Sequence, residues 1–183
     1  MPHRDESYSE SAEAFDAALA AASRGAIAAS GLYLDPERLR RLLLAGTSAH
    51  DCLGNRTLVN ADFSRVTFTG DADFAHLTFA DGVNFKDATF NGRAHFGDIT
   101  STGEANFFGG SFADFADFTR ATFQEHAGFG RANFHGTAGF GEATFSDGAN
   151  FGGATIAGRA LHSGDVQRIN GLWRSGLQRR CMV

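Results

Sequence analysis

The positions of phenylalanine constrain the fold of this chain more than any other feature of its sequence. Successive phenylalanines are separated alternately by five and six residues over a long central stretch. Only Ser101 and Ile156 replace phenylalanine among the 18 positions of this series. The phenylalanines of the series, which we predict to form the structural core, are Phe63, Phe68, Phe74, Phe79, Phe85, Phe90, Phe96, Phe107, Phe112, Phe118, Phe123, Phe129, Phe134, Phe140, Phe145 and Phe151.

A small apolar residue, most often alanine, stands two positions before these phenylalanines, with a polar residue in between, as in Ala61-Asp62-Phe63. In an extended backbone, residues two apart share a face, so alanine and phenylalanine point inward together. The interval does not match a helix, where apolar residues recur at three and four. Short extended segments joined by glycine-rich corners are expected to wind into a coil whose turns pair in parallel.

The unit resembles that of the pentapeptide repeat family, whose motif is alanine, aspartate or asparagine, leucine or phenylalanine, and two variable residues. Ala116-Asp117-Phe118 and Ala132-Asn133-Phe134 match this motif. The resemblance extends from about Leu58 to His162, with an extra residue in every second unit, as in a subclass with eleven-residue double units. It implies a mainly β fold, a right-handed, four-sided parallel β-helix with four units and 22 residues in each coil.

A coil of 22 residues predicts which side chains stack on one another. The phenylalanines fall into four interior columns, and Ser101 leaves a gap in one of them. Ile99 is larger than the usual alanine, so it compensates for the small serine. On the outside, we expect a threonine ladder, an asparagine column and columns of alternating charge. These outward positions are Thr78, Thr100, Thr122 and Thr144; Asn84, Asn106 and Asn150; His76, Asp98, Arg120 and Glu142; and the pair Arg65 and Asp87.

The flanking sequences predict helical caps. Residues 1–50 are assigned to an N-terminal helical region, because Asp35-Pro36 is a typical helix start and apolar residues follow at helical spacing. Residues 51–162 form the β-helix, and Leu53 and Leu58 are expected in an incomplete first coil. Residues 163–183 form an amphipathic tail that either caps the far end or mediates dimerisation, since solenoid ends need cover.

Composition excludes several classes of protein. The net charge of −5 argues against direct nucleic-acid binding, and no apolar run is long enough for a membrane span. Cys52 and Cys181 form no disulfide framework, and the N-terminus does not resemble a signal peptide, so we expect a cytoplasmic location. We expect no cofactor and no metal site, because the four repeat histidines, His76, His95, His126 and His135, occupy different positions of the unit.

The predicted function is a non-catalytic protein-interaction or scaffold module with an unknown protein partner. Phe108, Phe115 and Trp173 lie outside the core series and are candidate interaction residues, either for a partner or for a homodimer. The alternative for Phe108 and Phe115 is that one or both pack under the N- or C-terminal helix. The family resemblance implies an alternative, since some relatives are acidic rods that imitate duplex DNA, bind DNA gyrase and give quinolone resistance. A small-molecule enzyme is the third alternative, for which no catalytic set is visible.

Overall fold

The computed structural model describes residues 6–50, 56–158 and 160–161. It is a four-sided parallel β-solenoid of about five turns with two α-helices, both near the N-terminus. The mainly β, four-sided architecture predicted from the phenylalanine pattern and the family resemblance is therefore confirmed.

Two helices precede the regular part of the coil: α1 spans Glu6–Ala22 and α2 spans Pro36–Gly46. The Asp35 side chain accepts a hydrogen bond from the backbone N–H of Arg38 at 2.8 Å. Proline fits the first helical position, because the N–H that it lacks has no partner within the helix there. The helix start predicted at Asp35-Pro36 is thus observed, and α2 buries the leucines of its apolar side, Leu39, Leu42 and Leu43.

The described residues form 23 short strands, numbered β1 to β23 in chain order, in four sheets. Sheet 1 contains β1 (Ile27–Ala28), β5 (Ala61–Asp62), β9 (Val83–Asn84), β13 (Ala105–Asn106), β17 (Ala127–Gly128) and β21 (Ala149–Asn150). Sheet 2 contains β2 (Tyr33–Leu34), β6 (Thr67–Phe68), β10 (Thr89–Phe90), β14 (Ser111–Phe112), β18 (Asn133–Phe134) and β22 (Thr155–Ile156). Sheet 3 contains β7 (Ala72–Asp73), β11 (Ala94–His95), β15 (Ala116–Asp117), β19 (Ala138–Gly139) and β23 (Ala160–Leu161). Sheet 4 contains β3 (Ser48–His50), β4 (Arg56–Leu58), β8 (Leu77–Phe79), β12 (Thr100–Ser101), β16 (Thr122–Phe123) and β20 (Thr144–Phe145).

Neighbouring strands of the regular coils pair in parallel with a shift of 22 residues, as predicted; Thr89, for example, pairs with Thr67 and Ser111. The first coil is longer, because Ile27 pairs with Ala61, and α2 takes the place of a sheet 3 strand. Stacking therefore begins within residues 1–50, which the sequence analysis assigned to helices. Two-residue strands without phenylalanine leave no periodic signal there.

The phenylalanine rings stack in the four predicted interior columns. Neighbouring rings within a column have centroids 4.6–5.1 Å apart and planes within 14° of parallel. Rings of different columns meet either tilted, as for Phe63 and Phe68 at 6.2 Å and 47°, or edge to face, as for Phe63 and Phe74 at 5.3 Å and 76°. Both arrangements are favourable for aromatic pairs, at about 0.5–1.5 kcal/mol beyond the burial of area. All phenylalanines of the series are buried.

Ser101 interrupts the fourth column between Phe79 and Phe123, as predicted. Its side chain is fully buried, and its Oγ donates a hydrogen bond to the carbonyl oxygen of Gly103 at 2.8 Å. Ile99, two residues earlier, is also fully buried. The next coils have Ala121 followed by phenylalanine at these two positions. The hydroxyl is thus satisfied inside an otherwise apolar interior.

Every second corner contains a residue with positive φ, so these residues recur every 11 residues. At the first of these corners, Phe63 O accepts a hydrogen bond from Val66 N at 3.3 Å, and Arg65 has φ +56°. Positive φ at the third residue is typical of a type II turn. Glycine occupies only two positions of this series, and the others have charged or histidine side chains. The series is Arg65, His76, Asp87, Asp98, Gly109, Arg120, Arg131, Glu142 and Gly153.

The aspartate or asparagine of the repeat caps the same corners. Asp62 accepts a hydrogen bond from the backbone N–H of Ser64 at 2.9 Å, and Asn84 accepts one from Lys86 at 3.1 Å. Asp73, Asn106, Asp117 and Asn150 make the equivalent bond. This local bond favours turns. It explains why aspartate and asparagine are frequent at this position, whereas threonine predominates in the units between.

Both helices and strand β3 contact the first strands of the coil at its N-terminal end. At the N-terminal end, α1 packs on β1, α2 packs on β2 and β7, and β3 pairs antiparallel with β4. Leu58 lies in the first coil, where it pairs with Phe79, whereas Leu53 lies outside the described residues. The predicted C-terminal tail, residues 163–183 with Trp173, also lies outside them.

Candidate interaction surface

The outer surface has four faces, one for each sheet, and four corners where the chain passes between sheets. Among the side chains that the structure describes, the outward residues of sheets 2 and 4 have no charge. On sheet 4, the predicted threonine ladder is present in register and extends to β4: Thr57, Thr78, Thr100, Thr122 and Thr144. On sheet 2, the outward residues are Tyr33, Thr67, Thr89, Ser111, Asn133 and Thr155.

Within residues 56–158, the corner between sheets 4 and 1 contains carboxylates from successive coils and no lysine or arginine. We call it the acidic corner; it consists of Asp81, Glu104, Glu125 and Asp147, with Asp62 beside it on sheet 1. The four corner carboxylates are exposed. A shallow groove, open to solvent, lies beside the corner between the carboxylates and the asparagine column. Within this column, Asn84 Nδ2 donates to Asp62 Oδ1 at 3.1 Å, and Asn84 pairs in register with Asn106.

The corner between sheets 1 and 2 has mainly positive charge. We call it the basic corner; it consists of Arg65, Lys86 and Arg131, with one acidic residue, Asp87. The predicted ion pair between Arg65 and Asp87 is not formed. Arg65 Nη2 instead donates to Ser30 Oγ at 3.2 Å, because the first coil brings this serine within reach. The acidic and basic corners therefore border the sheet 1 face on opposite sides.

The corner between sheets 3 and 4 contains the predicted column of alternating charge. Arg120 Nε and Nη2 donate to the two carboxylate oxygens of Asp98 at 2.7 and 2.6 Å. These hydrogen bonds hold the pKa of Asp98 below its usual value and raise the pKa of Arg120. His76 Nδ1 lies 3.8 Å from the same carboxylate. The bidentate contact joins two successive coils at the surface.

The two aromatic residues outside the core series border the sheet 2 face. Phe108 lies at the basic corner, is 37% exposed, and has the Arg131 guanidinium 5.7 Å from its ring centroid. Phe115 lies at the opposite corner of sheet 2 and is half-buried. Each ring packs over a glycine of the next coil: a Cβ at Gly130 would lie 3.0 Å from Phe108, and one at Gly139 would lie 3.4 Å from Phe115.

Within residues 6–50, 56–158 and 160–161, no three His, Cys, Asp or Glu side chains form a group that could hold a metal ion. Cys52 and Cys181 lie outside these ranges. In the same part of the chain, neither helix has the length and apolar character that crossing a bilayer requires.

Comparison with known proteins agrees with this geometry. A family model described as pentapeptide repeats (9 copies) matches residues 63–111 and 118–160, which together make up half of the chain. The chain belongs to the pentapeptide repeat family. Neither a curated protein nor a solved structure matches it. As a pentapeptide repeat protein, it is a repeat scaffold whose buried phenylalanine columns support regular outer faces.

The features that distinguish this pentapeptide repeat protein lie mostly at its corners. The phenylalanine spacing and the 22-residue coil predicted the core phenylalanines and the column containing Asp98 and Arg120. The acidic and basic corners were not predicted, because charges were compared only within single columns. Aligning the corner residues of successive coils at intervals of 22 residues would have shown both.

Proposed function

We propose that this pentapeptide repeat protein is a non-catalytic interaction module that binds a protein partner through the sheet 2 face. The observation that supports this proposal most directly is the flat, uncharged ladder of sheet 2 between Phe108 and Phe115. Interface cores are depleted in charged residues and enriched in aromatic residues, which matches this face. Tyr33 extends the same outward column at the N-terminal end and is 62% exposed.

The filled interior supports a binding function over catalysis. Stacked rings occupy the inside of the coil, whereas small-molecule sites are concave and enclose most of their ligand. The groove beside the acidic corner and the depression between α1 and α2 are both open to solvent. The proposed activity needs neither a cofactor nor a metal ion, and the predicted cytoplasmic location remains part of the proposal.

The test is affinity capture from the native host with a matched control. The wild type, the double variant Phe108→Ser with Phe115→Ser, and Leu44→Ser are compared as bait. Leu44 lies near the C-terminal end of α2, beside the depression between α1 and α2, and is 49% exposed. We expect a protein that wild type and Leu44→Ser retain and that the double variant loses. Equal capture by all three baits would contradict the role of this face.

A second candidate function is supported by the acidic corner. Some pentapeptide repeat proteins bind DNA gyrase as mimics of duplex DNA, and an uninterrupted row of carboxylates is what such mimicry requires. The discriminating experiment is a gyrase supercoiling assay with wild type and with a variant that has Asp81→Asn, Glu104→Gln and Glu125→Gln. Inhibition by wild type that this variant loses would favour gyrase binding. No effect of micromolar wild type would exclude it.

A further inference from the structure

We propose that a second copy of this chain docks on the sheet 1 face, with the two coils parallel and side by side. The acidic corner borders this face on one side and the basic corner on the other. A two-fold axis parallel to the coil exchanges left and right but preserves height. It therefore places the acidic corner of each copy against the basic corner of the other, and the contact is self-complementary.

The positions of the charges along the coil support the parallel arrangement. The end of each regular coil leads directly into the next sheet 1 strand, so a carboxylate of the acidic corner lies level with the basic residue on the other side of that strand. Lys86 is therefore level with Asp81, on either side of β9, and Arg131 is level with Glu125, on either side of β17. These four side chains are exposed. An antiparallel arrangement with the axis across the coil would instead oppose like charges, which is unfavourable.

The size of the face predicts a weak and salt-dependent dimer. Five coils at the strand spacing give a length of about 24 Å, and about five extended residues give a width of about 17 Å. The resulting contact of roughly 800 Å² for both copies is smaller than the approximately 1,200 Å² of stable interfaces. Attraction between exposed charges falls as the Debye length shortens from about 30 Å at 0.01 M to about 3 Å at 1 M salt.

The test is sedimentation velocity of the purified full chain, in a concentration series up to about 1 mM at low and at high salt. Wild type should dimerise at low salt and dissociate at high salt. Lys86→Glu and Asp81→Lys should each weaken association at least about fivefold, because each reverses two symmetry-related pairs. The double variant Lys86→Glu with Asp81→Lys should restore association to within about twofold of wild type.

Matched controls separate this contact from the effect of net charge. Arg93→Glu and Glu142→Lys make the same charge changes at exposed positions on corners that do not border sheet 1. Both should associate like wild type. A wild type that stays monomeric at low salt, controls that weaken association as much as the test variants, or a double variant that is not restored would each overturn the proposal. Binding of a separate partner through sheet 2 is measured independently, so the two proposals fail separately.

Discussion

The gap in the fourth phenylalanine column permits a direct test of how the interior is packed. Ser101 and Ile99 together occupy the space that phenylalanine and alanine fill in the next coils. Ser101→Phe alone adds a ring beside Ile99, and such overpacking costs about 1–3 kcal/mol. Ile99→Ala alone leaves a cavity and costs about 2–5 kcal/mol. If the two changes were independent, the double variant would lose the sum of these free energies.

We expect the double variant to behave differently. Phe79 and Phe123 lie two coils apart, or about 9.6 Å, so one ring fits between them at the spacing of the other columns. Replacing Ile99 by alanine provides the space, and burial of the new ring contributes about 1.5–3 kcal/mol to the free energy of unfolding. Loss of the Ser101 hydrogen bond to Gly103 subtracts about 1 kcal/mol. The free energy of unfolding should therefore lie within about 1.5 kcal/mol of wild type, as for volume-conserving exchanges.

The measurement is urea unfolding of wild type, both single variants and the double variant, followed by circular dichroism. The double-mutant cycle should give a favourable interaction energy of at least about 1.5 kcal/mol between positions 99 and 101. Equal m-values would show that the four proteins expose the same surface area on unfolding. A double variant as unstable as the sum of the single variants would refute the reasoning, because the interior would then not accept a complete fourth column.

Three further predictions concern the corners. Gly136→Ala should destabilise by about 1–3 kcal/mol in thermal unfolding, because the added Cβ would lie 2.5 Å from the backbone oxygen of Asp114. Arg120→Ala should raise the pKa of Asp98 in an NMR titration. Because Arg120 depresses the pKa of Asp98 in the folded state, their contact stabilises the fold at neutral pH. The difference in stability between wild type and Arg120→Ala should therefore disappear as the pH falls through the pKa of Asp98. Glu142→Val should destabilise by about 1–2 kcal/mol relative to Glu142→Gly, since this residue has φ +58°; equal melting temperatures would contradict the turn assignment.

The core could be predicted from the sequence because one residue type repeats at nearly every inward position. The columns of Phe63, Phe68, Phe74 and Phe79 follow from spacing together with the coil length that the family resemblance implies. The same periodicity located the contact between Asp98 and Arg120. Where the backbone repeats regularly, the position of a residue in the repeat is enough to predict which column its side chain joins.

The first coil and the corners could not be predicted in the same way. Ile27 and Leu34 enter the stack without any repeat signal, because α2 separates them from the regular units. Arg65 was expected to pair with Asp87, but its partner Ser30 belongs to that irregular coil. The positive φ angles were also missed, since charged residues occupy them more often than glycine does. Local sequence thus specifies the interior better than the surface contacts.

The spacing of the capped corners has a consequence for how such an array changes length. Inserting or deleting 22 residues adds or removes one whole coil, about 4.8 Å of length, and every remaining side chain keeps its column. A change of 11 residues would also preserve the turns and the inward phenylalanines. It would, however, rotate everything after it by half a coil, so that the row of carboxylates would continue on the opposite corner. Gene duplication in half-coil steps would therefore redistribute surface charge while leaving the core intact.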